Sequence, residues 1–107
     1  MSSTVLDDPV LIRFSRALRD LYGGKLERLV LFGSRARGDA RPDSDYDIAV
    51  FIHGMDDFWV EADRLTQVET DILYDTGSVI NAQPFRARAY EDRTGLMSEL
   101  RRDGIDL

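Results

Sequence analysis

Two short motifs hold the side chains of this sequence that are best suited to chemistry. Gly33-Ser34 ends one apolar run, and after ten further residues Asp45-Tyr46-Asp47 leads into the next. Side chains on a strand alternate between its faces, so Asp45 and Asp47 point the same way and could share one divalent cation. Mg²⁺ prefers a few carboxylate oxygens completed by water and phosphate oxygens. A glycine lets the backbone approach a phosphate closely, and Ser34 offers both a hydroxyl and an N–H. The pattern predicts a metal–nucleotide site.

The same residues have a plainer interpretation. Gly-Ser is a common turn, and Asp-Ser-Asp-Tyr-Asp could be an acidic loop that enters a strand. With average residue usage, however, the four fixed positions recur by chance in roughly one chain of this length in a thousand. The match also falls at the ends of two predicted strands, where a metal–nucleotide site needs it. We therefore favour the functional interpretation.

These residues also carry a family resemblance. Gly33-Ser34-Arg35-Ala36-Arg37-Gly38, followed by Ser44-Asp45-Tyr46-Asp47, resembles the signature of the polymerase-beta-type nucleotidyltransferase superfamily. More narrowly, the sequence is similar to the minimal nucleotidyltransferases, short proteins encoded beside HEPN-domain ribonuclease toxins and acting as their antitoxins. Arg37-Gly38-Asp39 and Arg41-Pro42-Asp43-Ser44 strengthen the narrower match. The resemblance is specific over Leu29–Ile52 and general elsewhere.

The resemblance implies an α/β (α+β) fold with a small mixed sheet and helices packed on it. It implies that Asp45 and Asp47 are catalytic and coordinate Mg²⁺, and that ATP is the substrate. Gly33 and Ser34 would hold its phosphates. Arg35, Arg37 and Arg41 lie between the two motifs, where a triphosphate would need compensating charge. The implied acceptor is a tyrosine of a partner HEPN toxin, with which the chain would form a hetero-oligomer.

One part of the family pattern is missing. Polymerase-beta-like enzymes usually carry a third carboxylate on a neighbouring strand, where it acts on the attacking hydroxyl. The corresponding strand here reads Ser78-Val79-Ile80-Asn81-Ala82-Gln83-Pro84, with amides where the acid would stand. An amide can coordinate or donate a hydrogen bond but cannot accept a proton as a base. Two functions therefore stay open, an adenylyltransferase and a nucleotide-binding antitoxin that acts by binding alone. A small-molecule nucleotidyltransferase ranks third because it would need a further substrate domain.

Composition narrows the class of protein. The chain has 107 residues, of which 43% are hydrophobic and 32% charged, which predicts one globular domain over residues 1–107. It has no cysteine, so we expect a reducing cytoplasm. The net charge of −6 opposes direct nucleic-acid binding, and we expect no membrane association.

The elements that must position the motifs follow from local patterns. Asp7-Asp8-Pro9 predicts the start of a helix that Gly23-Gly24 ends, and Thr76-Gly77 predicts the end of a long helix. The predicted strands cover Glu27–Phe32, which is buried on both faces, Asp45–Ile52, and Ser78–Phe85, which Pro84 marks as an edge or an end. A polar loop with a helical turn after Ser34 joins the first two strands. Further helices are predicted from Asp56 or Asp57 to about Asp75 and from about Arg88 to Asp103. His53 is expected in a turn rather than as a base. Trp59 is expected as a partly buried packing residue rather than a base-stacking platform, although an exposed Trp would suit a partner interface.

Overall fold

A computed structural model describes residues 5–107 of the chain. Within that range the helices are α1 (Pro9–Tyr22), α2 (Ser34–Arg37), α3 (Phe58–Thr76) and α4 (Gly95–Asp103), and the strands are β1 (Leu26–Phe32), β2 (Tyr46–Ile52), β3 (Ile80–Arg86) and β4 (Ile105–Asp106). Two short 3₁₀ helices cover Gly23–Lys25 and Ala87–Glu91. None of the helices in the described range is long and apolar enough to cross a bilayer.

The strands form one mixed sheet in the order β3-β2-β1-β4. Strand β1 pairs antiparallel with β2 and with β4, whereas β2 pairs parallel with β3. The register places Phe32, the last residue of β1, opposite Asp47. It also places Asn81 of β3 beside Asp47 on the other side. The end of β1 and the starts of β2 and β3 therefore meet at one edge of the sheet.

Both faces of the sheet are covered. Leu29 and Leu31 of β1 lie in a core with Phe14 of α1 and Leu65 of α3. Val30 of β1, one position away, lies in a second core on the opposite face. That second core also holds the side chains Phe32, Ala49, Phe51, Met97 and Leu100, the last two from α4. The central strands are buried on both faces, as their uninterrupted apolar sequence predicts.

The start of α1 is tied to the start of β2 by a single carboxylate. Asp8 caps the helix because its Oδ1 accepts from the Val10 N–H (2.8 Å), and Pro9 occupies the first turn as predicted. The second carboxylate oxygen of Asp8, Oδ2, accepts a hydrogen bond from the Tyr46 hydroxyl (2.7 Å). Tyr46 lies between the two acids in sequence, so this hydrogen bond directs its side chain to the α1 side of the sheet. Asp45 and Asp47 consequently face the α4 side.

The prediction for the end of the chain is wrong in one respect. A continuous helix from about Arg88 to Asp103 is expected, but the structure breaks it into the 3₁₀ helix Ala87–Glu91 and α4. The break arises because the Thr94 hydroxyl accepts from the Met97 N–H (3.1 Å) and starts a new helix. Arg101 donates to the carbonyls of Tyr90 and Asp92, which holds the two segments together.

Candidate metal–nucleotide site

The two acids of the second motif lie at the start of a buried strand. Asp47 is the second residue of β2 and partly buried, and Asp45, just before the strand, is exposed. Alternation along the strand brings both carboxylates to the α4 face of the sheet. The structure therefore brings the two predicted metal ligands together, on a backbone fixed by pairing with β1 and β3.

Asn81 stands where the neighbouring strand offers a third side chain. It is the register partner of Asp47 and shares its face of the sheet. Its amide nitrogen donates to Asp45 Oδ2 (3.0 Å) and also favours the ionised form of Asp47. The Asn81 amide thus forms a direct link to the carboxylate pair.

The electrostatics around Asp47 favour a cation. Burial raises the pKa of Asp47, and the nearby negative charges of Asp45 and Glu99 raise it further. Arg37 and the Asn81 amide oppose that rise in pKa. A divalent cation on the two carboxylates would relieve the same unfavourable field, because it favours the ionised form of each acid.

Gly33 packs against the second motif in a conformation that favours glycine. Its φ of +76° lies in the left-handed region, and a Cβ there would stand 2.5 Å from Asp47 Oδ2. The Gly33 carbonyl accepts from the N–H groups of Ala36 and Arg37 (both 3.1 Å), which turns the chain into α2. Ser34 is the first residue of α2, so its N–H has no acceptor within that helix. Ser34 therefore directly follows the residue that packs against the Asp47 carboxylate.

The two predicted phosphate-binding arginines have different surroundings. Arg35 donates to the carbonyls of Ser44 (2.7 Å) and Pro42 (3.1 Å), and its guanidinium lies 3.8 Å from the centre of the Tyr46 ring. The Arg35 side chain thus holds the loop that leads into β2. Arg37 is exposed and pairs with Asp39 (3.4 Å) and Glu99 (3.7 Å). Nucleotide contacts by either arginine remain predictions.

Glu99 is a residue of the site that sequence reasoning missed. Its pattern in the chain indicates only a solvated helix face paired with neighbouring arginines. In the structure α4 packs on the same sheet face as Asp47, and Glu99 pairs with Arg37 at the end of α2. The available signal is the spacing of Met97 and Leu100, which marks the buried side of α4, but the sheet face to which α4 packs cannot be predicted from that spacing.

Two other conspicuous residues lie away from the carboxylates. His53 follows the opposite end of β2 from Asp47 and contacts Glu27 (2.6 Å), in agreement with its predicted turn position. Trp59 is expected to be partly buried, but 76% of its surface is exposed. The expectation is wrong because Leu65 and Ile72 define the buried side of α3 and Trp59 falls on the opposite side.

Comparison with known proteins decides the family. The family model of the nucleotidyltransferase domain matches residues 11–95. This chain belongs to the nucleotidyltransferase domain family. A relative named protein adenylyltransferase MJ0604, from Methanocaldococcus jannaschii, is 37% identical over 76 residues, covering 71% of this chain and 70% of the relative. The chain is a nucleotidyltransferase.

Solved structures of other proteins share the fold of this nucleotidyltransferase. A toxin–antitoxin crystal structure with AMP-PNP aligns with a TM-score of 0.59 at 21% identity, covering 87% of this chain and 68% of that one. A nucleotidyltransferase from Sulfolobus solfataricus aligns with a TM-score of 0.58 at 17% identity, covering 99% of this chain and 87% of that one. A chain from the complex of a tri-AMPylated Shewanella oneidensis HEPN toxin with MNT antitoxin aligns with a TM-score of 0.54 at 16% identity. The alignment covers 91% of this chain and 70% of that one. At these identities the likeness establishes the mixed α/β fold.

The donor groups of the nucleotidyltransferase fit Mg²⁺ better than a transition metal. Within residues 5–107 no group of three or more His, Cys, Asp or Glu side chains is arranged to hold a metal ion. Two carboxylates completed by water and substrate phosphates suit Mg²⁺, which seldom takes an all-protein set of ligands. Zinc, in contrast, takes at least three protein ligands of the nitrogen, sulfur and oxygen type.

Proposed function

We propose that this nucleotidyltransferase is a Mg²⁺-ATP-dependent protein adenylyltransferase that acts as an antitoxin by modifying a tyrosine of a partner HEPN ribonuclease toxin. The observation that carries the proposal is the placement of Asp45 and Asp47 beside the Gly33-Ser34 turn. The name of the Methanocaldococcus relative supports adenylyl transfer to protein. The toxin–antitoxin neighbours, one with AMP-PNP and one with an AMPylated toxin, support the nucleotide and the kind of partner.

Each residue of the site then has a definite task. Asp45 and Asp47 would hold Mg²⁺, which would supply charge neutralisation at the α-phosphate and the departing pyrophosphate. The Ser34 hydroxyl and the N–H groups at the start of α2 contact the β- and γ-phosphates. Arg37 is exposed and near the carboxylates, so it can leave Glu99 and pair with a phosphate. Arg35 keeps the loop in place through its contacts with the Ser44 and Pro42 carbonyls.

The proposed reaction is a single displacement at the α-phosphorus of ATP. The acceptor oxygen forms a bond to that phosphorus, and the bond from the phosphorus to the oxygen that bridges to the β-phosphate breaks. Pyrophosphate leaves with the electron pair, and the acceptor proton passes to solvent. A tyrosine hydroxyl has a pKa near ~10, far below that of an aliphatic alcohol, so it needs less help from a general base. A phenolic acceptor therefore suits a site with Asn81 in place of an acid.

A second candidate function rests on the same amide. Without a base beside the carboxylate pair, the protein could bind the nucleotide and still neutralise its partner by covering it. The two candidates differ in whether the partner is chemically changed, which one experiment can measure.

The experiment combines the protein, α-³²P-labelled ATP, Mg²⁺ and the product of the neighbouring gene. Mass spectrometry then maps any added AMP, and the ribonuclease activity of the partner is assayed in parallel. The Asp47→Asn variant serves as the inactive-site control, and Asp63→Asn on the exposed face of α3 serves as a matched control for the loss of one carboxylate. The enzyme function predicts adenylylation of a partner tyrosine that Asp47→Asn abolishes and Asp63→Asn preserves. An unmodified partner that Asp47→Asn still silences would establish the binding function instead.

A further inference from the structure

We infer that Asn81 is a positioning residue that holds Asp45 and Asp47 in register and limits the site to one divalent cation. The inference rests on the proposed Mg²⁺-nucleotide function and deepens it. It concerns the number of cations in the site and, through that number, the class of acceptor.

The hydrogen bond fixes how the Asn81 amide is turned. A carboxylate oxygen only accepts hydrogen bonds, so the NH₂ end of the amide must face Asp45 Oδ2 at 3.0 Å. The parallel register of β2 and β3 holds Asn81 beside Asp47 as well. An amide donor between two negative charges reduces their repulsion, and the pair keeps its geometry before a metal arrives. An acid at position 81 would instead add a third negative charge.

The same orientation works against a second cation. In sites with two divalent ions the metals lie about 3.5–4 Å apart and both need oxygen ligands. Here one oxygen of Asp45 already accepts a hydrogen bond, and the donor end of the Asn81 amide points into the space beside it. The positive end of that dipole repels a cation. Glu99, the other carboxylate near Asp47, is paired with Arg37 (3.7 Å), and no group of three such side chains in the described part of the chain is arranged to hold a metal ion. One cation takes up the two carboxylates, and a second finds no unpaired carboxylate beside them.

The acceptor class follows from the cation count. A second cation next to the attacking oxygen would lower the pKa of the acceptor hydroxyl, as metal-bound water shows. With one cation on the phosphates and Asn81 beside it, nothing lowers the pKa of the acceptor hydroxyl, so that pKa must already be low in the free acceptor. The site therefore favours phenolic acceptors over serine or threonine hydroxyls, because the phenol loses its proton more readily.

The test counts bound metal rather than turnover. Mn²⁺ replaces Mg²⁺, and α,β-methylene-ATP replaces ATP because its α–β bridge cannot be cleaved. With one equivalent of this nucleotide bound per chain, electron paramagnetic resonance measures free Mn²⁺ and so the number of ions bound. The variants are Asn81→Asp and Asn81→Ala. Gln83→Glu is the matched control, because it adds the same charge two residues along β3, beside Ala49 and away from the acids.

The inference predicts one Mn²⁺ per chain for the wild type and for Gln83→Glu, and two for Asn81→Asp. Asn81→Ala should still bind one ion, about 3–10-fold more weakly, because the carboxylates lose their donor. A merely structural role of Asn81 would lower the melting temperature of its variants with and without metal and leave the count unchanged. Two ions in the wild type, or one in Asn81→Asp, would overturn the inference while the adenylyltransferase proposal survives. A wild type that binds neither nucleotide nor Mn²⁺ would overturn both.

Discussion

At the scale of single residues, the position of Asp47 disfavours the negative charge that a metal ligand needs. The strand that places it also buries part of it, and burial together with Asp45 and Glu99 raises its pKa. The native state therefore holds the Asp47 proton more tightly than the unfolded chain does. By linkage, this carboxylate favours folding most at low pH, and that contribution is lost as pH rises from the unfolded pKa through the higher native one. At neutral pH the metal-free protein keeps an unfavourable charge at the place where a cation is needed.

The first prediction is that Asp47→Asn raises the melting temperature of the metal-free protein at pH 7. The variant removes the buried charge and keeps the size of the side chain. The gain should shrink as pH falls through the native pKa of Asp47, because the wild-type carboxyl then becomes neutral too. Adding Mg²⁺ and nucleotide should stabilise the wild type and leave Asp47→Asn unchanged. Thermal melts from pH 3.5 to 8, with and without Mg²⁺ and nucleotide, measure the melting temperatures of both proteins. A variant less stable than wild type at every pH would contradict the account.

The second prediction concerns the phosphate contact of Ser34. Ser34→Ala should weaken Mg²⁺-nucleotide binding by on the order of 1.5–3 kcal/mol, about 10–150-fold, because it removes a hydrogen bond to a charged group. Gly33→Ala should weaken binding further, because its Cβ would displace the Asp47 carboxylate and its φ is unfavourable for alanine. Titration calorimetry measures both affinities. Ser44→Ala, in the same loop but bonded to the Arg41 N–H, controls for general loosening.

The residue scale also separates what the sequence predicts from what it cannot. The carboxylate pair and the Gly-Ser turn are predictable because both depend on local spacing: side-chain alternation along β2 and a tight turn at the end of β1. The positions of Glu99 and Arg35 depend on contacts between distant segments. Glu99 approaches the site only because α4 covers the sheet face that carries Asp47, and Arg35 turns toward the Ser44 carbonyl only in the folded loop.

At the scale of elements, strand β3 shows how an open sheet edge is protected. Ala82 donates its N–H to Glu69 Oε2 of α3 (2.8 Å) rather than to β2, so this N–H faces the free edge. Pro84, two residues on and on the same edge, has no N–H at all. An approaching strand would find carbonyl groups but no free donors at these two positions. The edge position that Pro84 predicts is confirmed, and Glu69 extends the protection.

The third prediction is that the double variant Glu69→Ala, Pro84→Val associates with itself. It frees the Ala82 N–H and adds a second donor at position 84, so the edge can pair with another copy. Light scattering after gel filtration should show dimers or larger species at tens of micromolar protein. Asp71→Ala with Pro84→Val is the control, because it also removes one carboxylate from α3, and Asp71 is exposed and does not accept the Ala82 N–H. A double variant no more associated than this control would contradict the proposed protection.

Helix boundaries illustrate a limit of prediction at this scale. The start of α1 follows from Asp8-Pro9, and the end of α3 follows from Gly77 at φ +77°. The break between the 3₁₀ helix and α4 is not predicted, although Thr94-Gly95 is a plausible cap in the sequence. A cap competes there with continuous helical periodicity, and the contacts of Arg101 with the Tyr90 and Asp92 carbonyls stabilise the break. Such contacts join residues nine or more positions apart and leave no local signal.

At the scale of the whole molecule, the chain combines a net negative charge with exposed apolar side chains. The net charge of −6 gives the whole molecule an electrostatic field that repels nucleic acid. The arginines that precede β2 offset this field only in their own neighbourhood. The start of α3, far along β2 from the carboxylates, exposes the aromatic pair Phe58 and Trp59, whose rings meet edge to face at 5.0 Å. The overall topology was predictable only as a class, because strand order and the pairing of β4 with β1 depend on contacts across the chain.

The fourth prediction is that Trp59→Ala leaves the free energy of unfolding within about 0.5 kcal/mol of wild type. The side chain is 76% exposed, so little apolar surface is lost from the core. Leu65→Ala on the buried side of the same helix should destabilise by about 2–5 kcal/mol and is the positive control. Chemical denaturation measures both. A Trp59→Ala loss comparable to that of Leu65→Ala would mean that Trp59 packs in solution.

The central claim is that Asp45, Asp47 and the Gly33-Ser34 turn form one Mg²⁺-nucleotide site, and calorimetry with α,β-methylene-ATP tests it most directly. The account predicts Mg²⁺-dependent binding of one nucleotide per chain to the wild type. Asp45→Asn and Asp47→Asn should each lose this binding while they stay folded, and Asp63→Asn should bind like wild type. Wild-type affinity in both site variants, or the same affinity with and without Mg²⁺, would contradict the account.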